Sequence, residues 1–180
     1  MVNLKLRSES SLKRLYRRDT LTRLAQRIYE GERPENHRDE HAVEVSVLFC
    51  DDPFIADLNL QYLKKKGPTD VLSFPMGEQG SDQVKTLGDI VISLETVARF
   101  CSDDRAAMRS EIRLLFCHGM LHLLGHDHGS CAAERSMQDK QAQYLGVELK
   151  AAWHPDEGHF PRLRIADARG GARDVVGRRQ

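Results

Sequence analysis

Apolar and polar residues alternate in two stretches of the chain, which is the pattern of a strand with one buried face. Val2, Leu4 and Leu6 alternate with polar residues near the start. The run from Ala42 to Cys50 alternates more clearly and is the strongest strand signal in the sequence. Both stretches are therefore predicted to be half-buried strands.

Two further strands are predicted between residues 68 and 93. A turn at Pro68 leads into a short strand, which Pro75 ends because proline cannot donate to a strand ladder. Residues 76–86 are polar and contain glycine, which predicts a loop. The run from Leu87 to Ser93 is almost continuously apolar, as in a strand covered on both faces.

Apolar residues recur at a spacing of three and four in five other stretches, which predicts helices. We expect Gly31 and Pro34 to end the first helix, and the second to begin with Asp52-Pro53 as N-cap and first-turn proline. Asp103 or Asp104 is expected to cap the fourth. The five stretches are Leu21–Ile28, Phe54–Tyr62, Leu94–Cys101, Ile112–His122 and Ala133–Leu145.

Most strands fall in the first half of the chain and most helices in the second, which favours an α+β domain over alternating parallel units. We predict a mixed sheet of about four strands packed with about five helices. A chain of 180 residues suits one domain, predicted at residues 1–152. Residues 153–180 lose the apolar periodicity and are rich in arginine, which predicts a flexible basic tail.

Charge and cysteine content narrow the class of protein. Lys plus Arg and Asp plus Glu number 27 each, so any nucleic-acid binding must depend on local patches. The four cysteines form no C-x-x-C pair and are interpreted as reduced thiols. The first ten residues hold no apolar signal core, and no run approaches the roughly 20 apolar residues that cross a bilayer. We expect a cytoplasmic protein with no membrane partner.

The candidate chemistry lies in the fourth predicted helix. His118 and His122 are four residues apart, so their imidazoles leave one helix face a turn apart. Gly125 is expected to end the helix and turn the chain back, which can bring in His128 as a third ligand. Three imidazoles suit one Zn²⁺ ion, and a fourth position left to water is typical of a catalytic site. The metal-binding helix is expected on one face of the sheet.

Other interpretations of this region compete with an open metal site. Histidines on an apolar helix face are often core residues, but three at this spacing favour metal binding. The spacing matches the H-E-x-x-H-x-x-G-x-x-H of metzincin proteases, except that Gly119 replaces the glutamate base, which disfavours a peptidase. Cys117 is on a different side of the helix from His118 and is not expected to be a ligand. Asp127 is expected to orient a ligand or to cap a turn, and Asp89 to anchor the fold or to lie beside the metal.

Three motifs occur in order over roughly residues 40–146: Leu58-Asn59 through Pro68-Thr69-Asp70-Val71-Leu72-Ser73-Phe74-Pro75, then Leu87-Gly88-Asp89-Ile90-Val91-Ile92-Ser93, then the histidine motif. Together they resemble the YbeY family of bacterial endoribonucleases. The resemblance implies a zinc-dependent hydrolase that cleaves single-stranded RNA in 16S rRNA 3′-end maturation and ribosome quality control. It implies metal-binding and catalytic roles for His118, His122 and His128, and none for His126. It also implies rRNA, the small ribosomal subunit and ribosome-associated proteins as partners.

One position departs from the family pattern. The family has an arginine directly after Tyr62, in the channel that meets RNA phosphate, and this chain has Leu63. Leucine cannot form the paired hydrogen bonds of a guanidinium. Lys64, Lys65 and Lys66 are therefore candidate substrate-binding residues, against the alternative of a solvated lysine run. The departure keeps a second function open, a ribosome-assembly RNA-binding factor with a structural zinc and little or no nuclease activity.

Overall fold

The computed structural model describes residues 1–12, 15–33, 42–76, 80–81 and 84–148. Strands and helices alternate up to residue 75, two further strands follow directly, and the elements after residue 93 are all helical. They are β1 (Val2–Ser8), α1 (Arg18–Glu32), β2 (Ala42–Cys50), α2 (Asp52–Leu63), β3 (Val71–Pro75), β4 (Gly80–Ser81), β5 (Val84–Ser93), α3 (Leu94–Phe100), α4 (Arg105–Leu123) and α5 (Cys131–Leu145). The predicted α+β class is confirmed.

The sheet is mixed, with four main strands in the order β1-β2-β5-β3. The first three of these run parallel, and β3 runs antiparallel to β5 at one edge. The two-residue β4 adds a short antiparallel pairing to β5. Because β1 and β2 are parallel, the chain must cross between them, and α1 provides that crossover.

Strand alternation divides the hydrophobic core into two parts, because successive side chains point to opposite faces. Ile90 and Ile92 belong to the large cluster that includes α1 and α4. Val91 belongs to a smaller cluster with Leu72 and Ile55 of α2. We call the two sides the α4 face and the α2 face. β5 is therefore covered on both sides, as its apolar run predicted.

Two predicted boundaries were wrong, and a third was confirmed. β5 begins at Val84 and not at Leu87, because pairing with β2 and β4 recruits polar residues into the strand. α1 ends at Glu32, between Gly31 and Pro34 as predicted, and the absent side chain of Gly31 leaves room for Tyr144 of α5. The N-cap of α2 is Asp51, and Asp52 is the first helical residue.

Two predictions concern the ends and the environment of the chain. The proposed tail at 153–180 lies outside the described residues, so it and the domain limit at 152 stay predictions. In the described part of the chain, every helix is too short or too polar to cross a bilayer.

Candidate metal centre

The three predicted ligands meet at one place on the α4 face. His118 and His122 are buried near the end of α4, and His128 is half-buried in the turn that follows. One ligand atom from each residue lies within 4.8 Å of the others. No further His, Cys, Asp or Glu among the described residues joins this group. The arrangement can hold a metal ion through three side chains.

The chain reverses where the glycine predicted it would. α4 ends at Leu123, and the amide of Gly125 donates to the carbonyl of His122 at 3.0 Å. The amide of His126 donates to the carbonyl of Leu121, also at 3.0 Å. Gly125 has φ +90°, a conformation that a side chain disfavours. The reversal returns the next residues toward the helix face that carries His118 and His122.

A glutamine that sequence analysis missed fixes the first ligand. Nδ1 of His118 lies 2.6 Å from Oε1 of Gln141, a buried residue of α5. A carboxamide oxygen only accepts, so Nδ1 carries the hydrogen and Nε2 keeps its lone pair. This is the arrangement in which an outer hydrogen bond orients a metal-binding imidazole. A lone glutamine on a helix gives no such signal in the sequence.

The two helix imidazoles have a spacing that fits a shared cation. Nε2 of His122 lies 3.2 Å from Nε2 of His118. Two nitrogens bound to one tetrahedral zinc at about 2.0–2.1 Å are about 3.4 Å apart. The lone pair of His118 thus points toward the nitrogen of His122 at ligand spacing, and a cation between them would satisfy both. The residues fit a metal ion.

Burial keeps these imidazoles in the form that binds metal. Desolvation lowers the pKa of His118 to about 4, although the hydrogen bond that His118 donates to Gln141 opposes this shift. Desolvation lowers the pKa of His122 to about 2, and the neighbouring histidines add to the effect. Metal ligation needs neutral imidazole, so neither ring has to lose a proton at neutral pH. Burial also raises the pKa of the Cys117 thiol to about 12, which disfavours a thiolate ligand.

Position 119 faces the sheet and not the histidine group. A Cβ on Gly119 would lie 3.0 Å from Cγ2 of Ile90 and 3.1 Å from Oγ of Ser73. The glycine therefore lets α4 pack closely on β3 and β5. A glutamate at this position would be buried against Ile90, so the general base of the metzincin motif has no counterpart here.

A second group of side chains, centred on Glu32, contacts the turn that follows α4. Glu32, at the end of α1, accepts hydrogen bonds from Lys140 and Tyr144 of α5 and from His126 of the turn. Burial raises the pKa of Glu32, but the three donors lower it more, so it lies below its ordinary value. Glu32 and His126 are 94 residues apart in the sequence, and no local pattern predicted a role for either.

The structure distinguishes between the alternative roles that the sequence left open for two aspartates. Oδ1 of Asp127 accepts from the amide of His128 at 2.7 Å, which favours the turn-capping alternative. Asp89 alternates with Ile90 along β5 and so lies on the α2 face, away from the histidines. A place beside the metal is thereby excluded for Asp89.

The three candidate lysines follow α2. Lys64 and Lys66 are exposed and Lys65 is half-buried, and Lys64 ends the helix in a left-handed conformation. Leu63 is only 7% exposed and packs in the small core cluster on the α2 face. The leucine therefore has a packing role of its own. Substrate binding by the lysines stays a prediction.

Comparisons with known proteins agree with the motifs. A family model described as Endoribonuclease YbeY matches residues 7–147. A curated relative named Endoribonuclease YbeY from Aquifex aeolicus is 42% identical over 110 residues, which cover 61% of this chain and 73% of the relative. One of the same name from Pelotomaculum thermopropionicum is 39% identical over 130 residues, covering 70% of this chain and 82% of the relative.

A solved structure shares the fold. The solution structure of a Thermotoga maritima protein aligns with a TM-score of 0.50 and 24% identity. The alignment covers 87% of this chain and 99% of that protein.

Proposed function

This chain belongs to the YbeY family of endoribonucleases, and on that premise we propose that it is a zinc-dependent enzyme that cleaves single-stranded RNA during 16S rRNA 3′-end maturation. The proposal extends to quality control of the ribosome in the cytoplasm. Its partners would be rRNA, the small ribosomal subunit and ribosome-associated proteins.

The observation that supports catalysis most directly is the number of ligands. Three histidines form the group, and the described residues supply no fourth. Structural zinc sites use four protein ligands, whereas catalytic sites use three and leave one position to water or substrate. His128 is half-buried, and its partial exposure supports access of RNA to the histidine group.

The residues of the chain would contribute in distinct ways. His118, His122 and His128 would hold the ion as neutral imidazoles. A bound zinc ion supplies Lewis acidity, which activates water and polarises a phosphoryl oxygen. Gln141 keeps the hydrogen of His118 on Nδ1, so that the lone pair of Nε2 would be available to hold the ion. Lys64, Lys65 and Lys66 would add positive charge for the RNA backbone.

Metal analysis joined to an RNA cleavage assay tests this function. The purified protein should carry one zinc per chain and cleave a 5′-labelled precursor of the 16S rRNA 3′ end. A chelator should stop cleavage, and added zinc should restore it. His122→Ala should abolish cleavage and keep the native circular dichroism, whereas the exposed Cys131→Ser, three residues beyond His128, should cleave like wild type.

The alternative function predicts different results in the chelation and cleavage assays. An RNA-binding assembly factor with structural zinc would unfold on chelation and would bind the precursor without cutting it when fully loaded. Zinc-loaded wild type that binds RNA but releases no labelled fragment would therefore overturn the enzymatic proposal.

A further inference from the structure

We propose that Glu32 is a positioning residue of the metal centre, which holds His126 and thereby fixes the turn that presents His128. The inference rests on the proposed metal-binding role of the three histidines. Glu32 and His126 lie outside the ligand set, and their hydrogen bond connects the end of α1 to the metal centre.

The carboxylate of Glu32 is almost completely buried and is surrounded by hydrogen-bond donors. Its side chain is 6% exposed, and Nζ of Lys140 donates to both of its oxygens, at 2.9 and 2.8 Å. The hydroxyl of Tyr144 donates to Oε1 at 2.6 Å. Nε2 of His126 lies 2.6 Å from Oε2. An ionised carboxylate only accepts, so Nε2 of His126 is the donor whether or not the ring is charged.

Three further hydrogen bonds of the turn are local. The amides of Gly125 and His126 return to carbonyls of α4, and the amide of His128 is met by its neighbour Asp127. None of these three bonds reaches beyond α4 and the turn itself. The bond from His126 to Glu32 does, because Glu32 belongs to α1 and is itself held by α5. It anchors the turn two residues before the third ligand.

The same helix supports both sides of the histidine group. Gln141 of α5 orients His118 directly, while Lys140 and Tyr144 act on the turn through Glu32. His118 and His122 are fixed by α4, whereas His128 depends on the turn. A ligand that must first be ordered weakens binding by the entropy of ordering it. Fixing His126 reduces that entropic cost, so the hydrogen bond to Glu32 should increase the affinity for the metal ion.

Zinc affinity of purified variants tests the proposal, measured by competition with a chromophoric chelator. Glu32→Ala and His126→Phe should each raise the Kd for zinc by about 10–100-fold, as loss of outer-shell partners does. His126→Gln keeps an amide donor and should stay closer to wild type than His126→Phe. Tyr144→Phe removes one donor from Glu32 without touching His126, and it should change the Kd least.

The readouts separate positioning from general support of the fold. A purely structural role would lower the unfolding midpoint of metal-free Glu32→Ala while leaving its zinc Kd at the wild-type value, and that result would overturn the proposal. If Glu32→Ala does not fold, the His126 pair decides alone, since His126 is partly exposed. Equal Kd values for His126→Phe, His126→Gln and wild type would equally overturn it.

Failure of the proposed function looks different from failure of this inference. Wild type that binds no zinc, or whose binding survives His122→Ala, contradicts the histidine site and removes the basis of the inference. Wild type that binds zinc and cleaves RNA, with Glu32→Ala binding zinc just as tightly, contradicts the inference alone. Glu32→Ala should lose more of its cleavage rate at limiting zinc than at saturating zinc, because the lost anchor weakens metal binding.

Discussion

Gly119 of α4 lies so close to Ile90 of β5 that a Cβ at position 119 would stand 3.0 Å from Cγ2 of the isoleucine. This close approach sets the distance between the histidine helix and the sheet. It also explains in physical terms why the second residue of the histidine motif is not an acid, because position 119 points into packed side chains.

Gly119→Ala should destabilise the protein. Alanine favours a helix over glycine by about 1 kcal/mol, but inserting a methyl group into a packed core costs typically about 1–3 kcal/mol. We expect a net loss of up to about 2 kcal/mol in denaturant unfolding. Ile90→Val in the same chain should recover part of this loss, because it removes the Cδ1 atom that stands 3.1 Å from the new Cβ. Strictly additive losses would contradict the close packing of these two residues.

Gln141→Leu should weaken zinc binding by about 10–100-fold, because His118 loses the acceptor that holds its hydrogen on Nδ1. Gln141→Glu keeps an acceptor oxygen and should bind zinc more tightly than the leucine variant. Competition with a chelator gives both affinities. Leucine and glutamate variants of equal affinity would show that the hydrogen bond does not orient the ligand.

Glu111 of α4 predicts a dependence of stability on pH. Burial raises its pKa to about 7, and the nearby charge of Asp70 adds to the shift. In the folded protein Glu111 therefore keeps its proton above about pH 4.5, where the same group in the unfolded chain loses it. The contribution of protonated Glu111 to the free energy of unfolding is complete below about pH 4.5. It is lost as the pH rises toward 7, at up to about 1.4 kcal/mol per pH unit.

Glu111→Gln removes this titration and checks its sign. In urea unfolding at pH 5 and pH 8, the variant should gain stability relative to wild type on going to the higher pH. A constant difference between the two proteins at both pH values would contradict a raised pKa at Glu111.

The lysine run can be tested without disturbing the core. Lys64→Ala with Lys66→Ala should weaken RNA binding and reduce the salt dependence of the binding constant, by about 0.7 in log-log slope for each phosphate that is no longer neutralised. Replacing Lys5, an exposed lysine of β1 paired with Glu44, serves as a control for removal of positive charge elsewhere. An unchanged slope in the double variant would assign the lysines to the solvated surface.

Leu63 is unsuited to a direct exchange for arginine. Its side chain packs with Ile55 and Leu72 in the small cluster, and a guanidinium there would be buried without a defined partner. We expect Leu63→Arg to destabilise the protein by roughly 2–4 kcal/mol in denaturant unfolding. A stable variant with tighter RNA binding would show instead that the arginine can turn outward to phosphate.

Sequence periodicity predicted the sheet, the five helices and the histidine group because each depends on local spacing. His118, His122 and Gly125 lie within two helical turns, so their geometry follows from one helix and its end. Gln141 and Glu32 could not be found in this way. They reach the site from α5 and α1, and only tertiary packing brings them there. The early start of β5 was missed for the same reason, since its polar residues are held by neighbouring strands.

X-ray absorption at the zinc edge of the loaded protein tests the metal centre most directly. An open site with three histidine ligands should give four light ligands at about 2.0–2.2 Å, with the multiple scattering of three imidazoles and one further oxygen. In His128→Ala the imidazole count should fall to two. A sulfur ligand at about 2.3 Å, or a fourth imidazole that closes the coordination shell, would contradict an open site formed by His118, His122 and His128.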